Sequence, residues 1–285
     1  MFESVKARLW RHLEHLVGDR DPYLAAGQHR LIEQYVQSTL ATFGPVTSHT
    51  FAVRAREHRN WILQLPAATT ANLATAPLII GAHYDTVPGT PGADDNASGL
   101  AVLLELARYY ATQPLARPVW LVAFDMEEYG LLGSQAYAES LRASSQAVHL
   151  MLSLEMLGYC DRTPHSQRYP SPWLARFYPD RGDYIALVGN LSTLWVMRRL
   201  RRQLQRTGAA CEYLPVPNRG TAIPATRRSD HAAFWDYGYR AMMVTDTAFL
   251  RNPHYHEPSD RLDTLDLDFM THVCLGLMTG LTAMS

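Results

Sequence analysis

Three short apolar runs end in side chains that bind metals or move protons. Pro77 to Ala82 leads into His83-Tyr84-Asp85, Val119 to Phe124 into Asp125-Met126-Glu127-Glu128, and Val148 to Leu154 into Glu155. Asp94-Asp95-Asn96 stands directly before a helical stretch beginning near Ala97, and His254-Tyr255-His256 follows the run Ala241 to Thr245. The inventory is imidazoles and carboxylates, without a thiolate. Zinc accepts such nitrogen and oxygen ligands, and a carboxylate shared between two ions holds them close enough to clamp one substrate oxygen. The pattern predicts a two-metal hydrolase site.

Such a site needs a scaffold that delivers distant residues to one place. The continuous apolar runs, with Tyr184 to Val188 added, have the length and composition of strands buried on both faces. Helical stretches lie between them at Ala97 to Tyr110, Gly133 to Arg142 and Leu191 to Arg206. Alternation of strand and helix predicts an α/β fold, three layers α/β/α, around a mixed, largely parallel sheet. Ligands bind such sheets at the C-terminal ends of the strands, where all three groups fall.

Upstream, Leu9, Leu13 and Leu16, then Leu31, Ile32, Tyr35, Val36 and Leu40, recur at helical spacing and predict two helices within residues 1–42 that pack on the sheet. Val46 to Ala55 and Asn60 to Leu65 read as a hairpin joined through Arg56 to Arg59. Pro66 to Ala76 reads as a small-residue loop, Arg162 to Arg181 as an insertion-like loop, and Phe269 to Ser285 as a buried terminal helix. Cys211 to Arg228 also reads as loop. With no linker composition or repeat, residues 1–285 are expected to form a single domain.

Taken singly, each polar residue has a plainer explanation. Asp94 to Asn96 could cap the next helix, Glu127 and Glu128 could be first-turn carboxylates, and Ser229 with Asp230 fits a cap for a helix from His231 to Tyr237. His83 alone could be a hydrogen-bonded core residue. Coincidence at one edge favours a site, because converging buried carboxylates are costly without a cation.

The motif series Gly81-Ala82-His83-Tyr84-Asp85-Thr86, Pro91 to Gly99, Glu127 to Ser134, Ser229-Asp230-His231 and Tyr255-His256 resembles that of the aminopeptidase family of clan MH zinc metallopeptidases. That family includes bacterial zinc aminopeptidases, glutamate carboxypeptidases, glutaminyl cyclases and the non-catalytic transferrin receptor. The resemblance implies two zinc ions per chain, with Asp94 bridging them, His83 and Glu155 completing one and Glu128 and His256 the other. It implies Glu127 as general base, Tyr255 as donor to the developing oxyanion, and Asp95 as the residue following the bridging carboxylate through a cis peptide bond. Asp85, two residues from His83, is placed to receive the imidazole's other N–H. Glu155 stands where many relatives carry Asp.

Composition excludes other classes. The chain has 285 residues, 47% hydrophobic and 19% charged, with 26 basic against 27 acidic side chains. That balance offers no electrostatic footprint for nucleic acid or an anionic membrane, and the Arg-rich stretch Arg198 to Arg206 reads as a solvated helix face. Three well-separated cysteines suggest neither a disulfide framework nor a thiolate metal site. With no signal-peptide pattern and no bilayer span, a cytoplasmic location is expected. The expected function is a zinc aminopeptidase acting on peptides or amino-acid amides. A glutaminyl cyclase-like acyltransferase and a non-catalytic binding protein are the rivals. Nothing in the sequence sets an oligomeric state.

Overall fold

A computed structural model describes residues 1–69 and 75–283. Part of the expected loop Pro66 to Ala76, residues 70–74, and the last two residues of the expected terminal helix lie outside them. The helices are α1 (Phe2–Leu16), α2 (Ala26–Ala41), α3 (Gly99–Thr112), α4 (Leu132–Ala143), α5 (Leu194–Arg206), α6 (His231–Asp236) and α7 (Leu267–Thr282). The strands are β1 (Val46–Val53), β2 (Arg56–Leu65), β3 (Leu78–His83), β4 (Val119–Phe124), β5 (Leu150–Glu155), β6 (Ile185–Asn190), β7 (Cys211–Val216) and β8 (Ala241–Thr245).

They form one mixed sheet of order β1-β2-β4-β3-β5-β8-β6-β7. Four adjacent strands, β4, β3, β5 and β8, run parallel, whereas β2 and β6 flank them antiparallel. Alternation along the buried strands separates two cores. Leu78, Ile80, Ala82, Leu121, Leu152 and Val244 pack with α1, α2, α3, α5 and α7 on one face. Ile79, Val122, Phe124, Met151 and Met243 pack with α4 and α6 on the other. The three-layer arrangement expected from the strand-helix alternation is therefore present, with both N-terminal helices in the larger layer. Among the described residues no helix is long and apolar enough to cross a membrane.

Two expectations fail locally. The hairpin turns at Arg54 and Ala55, both at positive φ, so Arg56 to Arg59 belong to β2 rather than to the connection. A tight turn with two positive φ values is normally marked by Asn or Gly, and neither is present to signal it. Cys211 to Val216 forms β7 instead of a loop. Its Pro215 and Glu212 are tolerated because β7 is the sheet's outermost strand. The segment Arg162 to Arg181 is irregular as expected, with one short 3-10 turn at Leu174–Arg176. On α5, Arg198, Arg199, Arg202 and Arg206 are exposed.

Candidate metal centre

The strand ends deliver their groups as the alternation predicts. His83 closes β3 and Glu155 closes β5, both buried. Glu127 and Glu128 sit in a tight turn after β4, before α4 starts at Leu132, so neither is a helix first-turn carboxylate. His256 arrives from the loop after β8, at φ 60°.

The carboxylate between the two imidazoles belongs to Asp95, not Asp94. One oxygen of Asp95 lies 3.2 Å from His83 Nε2 and the other 3.2 Å from His256 Nε2. Glu155 Oε2 is 3.7 Å from His83 Nε2, and Glu128 Oε2 is 3.2 Å from His256 Nε2. Three sets of donor atoms, His83-Asp95-Glu155, Asp95-Glu128-His256 and His83-Glu127-Glu128, each fit within 4.8 Å. Asp94 turns the opposite way. Its carboxylate accepts from the Gly158 N–H at 2.8 Å, Asn252 Nδ2 at 2.8 Å and Ser98 Oγ at 3.1 Å. Successive residues across this turn point to opposite sides, so a one-residue ambiguity in the motif exchanges bridge for support. The cis peptide bond is likewise one step later, at Asp95–Asn96.

The turn holding Asp95 is fastened from four directions. Gly92 precedes it at φ +59°, where a Cβ would lie 2.4 Å from the Asp95 carbonyl oxygen. Asp260 accepts from the backbone N–H groups of Asp94 and Asp95 at 2.9 and 3.0 Å. Asn96 donates to the Leu154 carbonyl at 2.8 Å and accepts from Gly99 and Met156 N–H, tying the turn to β5 and α3. It thereby meets the capping expectation for this segment. Arg20, fully buried, donates to the carbonyls of Leu16, Gly18, Tyr84, Pro91 and Gly92 and reaches that of Asp95 at 3.4 Å.

Neighbouring groups orient the rest. His83 Nδ1 lies 3.2 Å from the Asp85 carbonyl oxygen and 3.4 Å from its carboxylate. Either acceptor keeps the proton on Nδ1 and leaves Nε2 a bare lone pair. The Asp85 carboxylate also accepts from the N–H groups of Glu127 and Glu128, each at 3.1 Å, so one side chain sets both the imidazole and the acidic turn. Ser229, expected to cap α6, instead donates to Glu155 Oε2 at 2.8 Å. Asp230 makes no side-chain cap to α6 either, and is buried nearby. Asp125 stands apart, its two oxygens engaged at 2.8 Å by His29 and His58. His254 contacts Ser259 and Tyr159 outside the cluster.

The electrostatics are those of carboxylates crowded against two imidazoles. Burial, reinforced by Asp95, pushes Glu128 up to about 7, and burial pushes Glu155 up to about 7 as well. Burial, with Glu155 and Glu128, raises Glu127 well above the usual carboxylate range. Burial would lower His256, but hydrogen bonds to Asp95 and Glu128 prevail and raise it to about 10. Asp95 moves below its usual range, the two imidazoles outweighing its burial.

These residues fit a bound metal. His83 Nε2 is buried with no hydrogen-bond partner and faces two carboxylates. No lysine or arginine pairs with Asp95, Glu127, Glu128 or Glu155 among the described residues. A divalent cation is the group that satisfies a lone imidazole nitrogen and excess carboxylate charge together.

The sequence model of Peptidase family M28 matches residues 60–278. The chain belongs to peptidase family M28. Its relatives include YfbL of Escherichia coli K12, named an uncharacterized protein, 38% identical over 86% of this chain and 77% of YfbL. Leucine aminopeptidase 1 of Uncinocarpus reesii is 28% identical over 71% of this chain, which spans only 50% of that protein. Among solved structures, the LapA aminopeptidase of Legionella pneumophila superposes with TM-score 0.73 at 18% identity, over 98% of this chain and 72% of LapA. The zinc aminopeptidase of Bacillus subtilis gives 0.60 at 23%, over 82% and 52%. Porphyromonas gingivalis glutaminyl cyclase gives 0.69 at 21%, over 100% and 99%. At these identities the structures show that the M28 fold is shared.

Beside the M28 centre lies a cavity of about 80 Å³ that sequence reasoning left unplaced. Pairing of β5, β8, β6 and β7 puts Glu155, Thr245, Ala186 and Glu212 in one row across the sheet, with Met243, Val188 and Leu214 in the next row of the same face. All seven line the cavity. Tyr169, Leu174 and Tyr178 close it from the insertion, Tyr184 from the residue before β6, and Phe249 and Tyr255 from the loop that carries His256. Tyr255 stacks on His256 at 3.7 Å.

Proposed function

We propose that the chain is an aminopeptidase that binds two zinc ions and removes N-terminal residues with apolar side chains from peptides. The observation that carries this reading is the Asp95 carboxylate, set 3.2 Å from an imidazole nitrogen on either side, with Glu155 and Glu128 flanking. Asp95 would bridge the ions, His83 and Glu155 would hold one, and Glu128 and His256 the other. Zinc so held supplies Lewis acidity, which polarises a peptide carbonyl and draws a nucleophile from water near neutral pH.

The protein's own groups do the remainder. Glu127 accepts no hydrogen bond at its carboxylate among the described residues, so it is uncommitted and can take a proton from water and pass it to the leaving amine. Its raised proton affinity suits a base that must later act as an acid. Tyr255 is a donor beside His256, its hydroxyl kept protonated by burial and the nearby carboxylates. Donation to the oxygen of the attacked carbonyl is worth about 3 kcal/mol of barrier. The surrounding carboxylates attract a free α-amine, and the apolar cavity receives the side chain that the amine carries.

The test compares an apolar dipeptide amide, its N-acetylated form and a peptide with N-terminal glutamine. Hydrolysis of the free amine form alone is expected. Cleavage of the acetylated form at a similar rate rejects aminopeptidase action, and conversion of the third substrate to pyroglutamate assigns a glutaminyl cyclase.

A further inference from the structure

The edge of the sheet opposite the metal centre gathers charge of the other sign. The parallel strands β4, β5 and β8 begin directly after Arg117-Pro118, His149 and Arg240, so their N-terminal ends bring three basic side chains to one place. All three line a cavity of about 230 Å³, and Arg199 of α5 lines it as well. Leu78, Leu115, Leu150, Trp195 and Leu281 supply apolar walls. No carboxylate lines this cavity, and none of its four basic residues forms an ion pair among the described residues.

Each guanidinium is anchored by one backbone carbonyl. Arg117 donates to Ala76 at 3.1 Å, Arg199 to Ala283 at 2.9 Å and Arg240 to Ser192 at 2.9 Å. The Nε of Arg240 is buried with no hydrogen-bond partner. Burial, together with the fields of Arg117 and Arg240, holds the His149 imidazole below its ordinary value, and burial lowers Arg117 as well. Cations crowded in a partly buried, acid-free cavity cost free energy that a bound anion recovers.

The lining also selects the kind of anion. Anchored guanidinium groups hold their N–H donors in fixed directions, which suits the oxygens of a carboxylate or a phosphate. The volume lies below the range of about 300–1,000 Å³ of drug-sized ligand sites, so the occupant is small. The leucine walls and the exposed ring of Trp195 suit an apolar group on that anion. A free amino acid does not fit, because its ammonium would face only cations.

We propose that this cavity binds a small organic anion, in which a carboxylate or phosphate is joined to an apolar group and no amine is present. The site lies at the far end of the strands from the metal centre and stands whether or not the chain is an aminopeptidase.

Calorimetric titration of the zinc-loaded chain with 4-methylpentanoate, phenyl phosphate, inorganic phosphate and leucine tests it, in the wild type, Arg240→Gln and Arg117→Gln. Two variants are used so that one remains if the other does not fold. Any binding at the metal centre is common to all three proteins, so the component that the substitutions weaken belongs to this cavity. At least one organic probe is expected to show such a component, about tenfold weaker in each variant, as loss of one charge-assisted pair implies. The tighter of 4-methylpentanoate and phenyl phosphate tells which oxyanion the site takes. Leucine, which is 4-methylpentanoate with an added α-amine, should show none. No binding of either organic probe at millimolar concentration, or equal binding in wild type and variants, overturns the site. Inorganic phosphate held as tightly as phenyl phosphate, or leucine as tightly as 4-methylpentanoate, overturns the class of ligand.

Discussion

The two sides of the sheet reach the same crevice by different means. On one side, β3, β4 and β5 end in His83, the Glu127-Glu128 turn and Glu155, backed by Asp85 and Ser229, and the Asp95 turn beside them is held by Asp260, Asn96 and the buried Arg20. On the other side, β8, β6 and β7 contribute a floor of Thr245, Ala186, Val188 and Leu214, and irregular segments supply the walls. On the proposed reading, chemistry is built on buried strand ends with fixed hydrogen bonds, whereas selection is built on side-chain shape. Substitutions on the first side should remove function or fold, and those on the second should change which substrate is used.

The largest effect is expected at Glu127. Glu127→Gln should lower kcat by about 10²- to 10⁴-fold, the range of a lost general base, with metal content retained. Loss of metal in this variant would make Glu127 a ligand and exchange its role with Glu128.

Arg20→Met should reduce unfolding free energy by at least about 3 kcal/mol in urea titrations, because several buried carbonyls lose their donor at once. A variant as stable as the wild type would show that the Asp95 turn is held without it.

A smaller effect on the pocket side comes from pH. His231, on α6, donates from Nε2 to the Thr226 carbonyl while its Nδ1 is buried without a partner. Burial lowers this imidazole to about 4. The unfolded chain therefore binds the proton first, and stability falls as pH drops from about 6.5 towards 4, by about 2 kcal/mol at pH 5. His231→Gln should flatten that part of the pH dependence of thermal unfolding; an unchanged slope would move its origin elsewhere.

The mildest change is Ala186→Leu, which should narrow the cavity floor. It should raise KM for leucyl substrates about tenfold and for alanyl substrates much less. A matching fall in kcat for both would mean that the two sides are not separable.

How far each side was legible in the sequence follows the same division. His83, Asp85, Glu127, Glu128, Glu155 and His256 could be read from their places at strand ends or in the motif series, because parallel strands force their C-terminal residues into one crevice. The Asp94-Asp95 pair was read one residue out of register, since two adjacent carboxylates on a turn give no periodicity from which to choose. Arg20 and Asp260 were missed because they act through backbone groups distant in sequence. A sequence clue to Asp260 exists four residues after His256. The cavity beside the metal centre could not be foreseen, because β7 contains a proline and a charge.

The central claim is that Asp95 bridges two metal ions, and elemental analysis of metal per chain tests it most directly. The wild type purified with zinc should carry two ions, Asp95→Asn should lose them together with turnover, and Asp94→Asn, which keeps the shape of the support, should retain both. Full occupancy in Asp95→Asn with loss in Asp94→Asn would return the bridge to Asp94. A wild type that binds no metal and hydrolyses peptides in the presence of a chelator would contradict the account altogether.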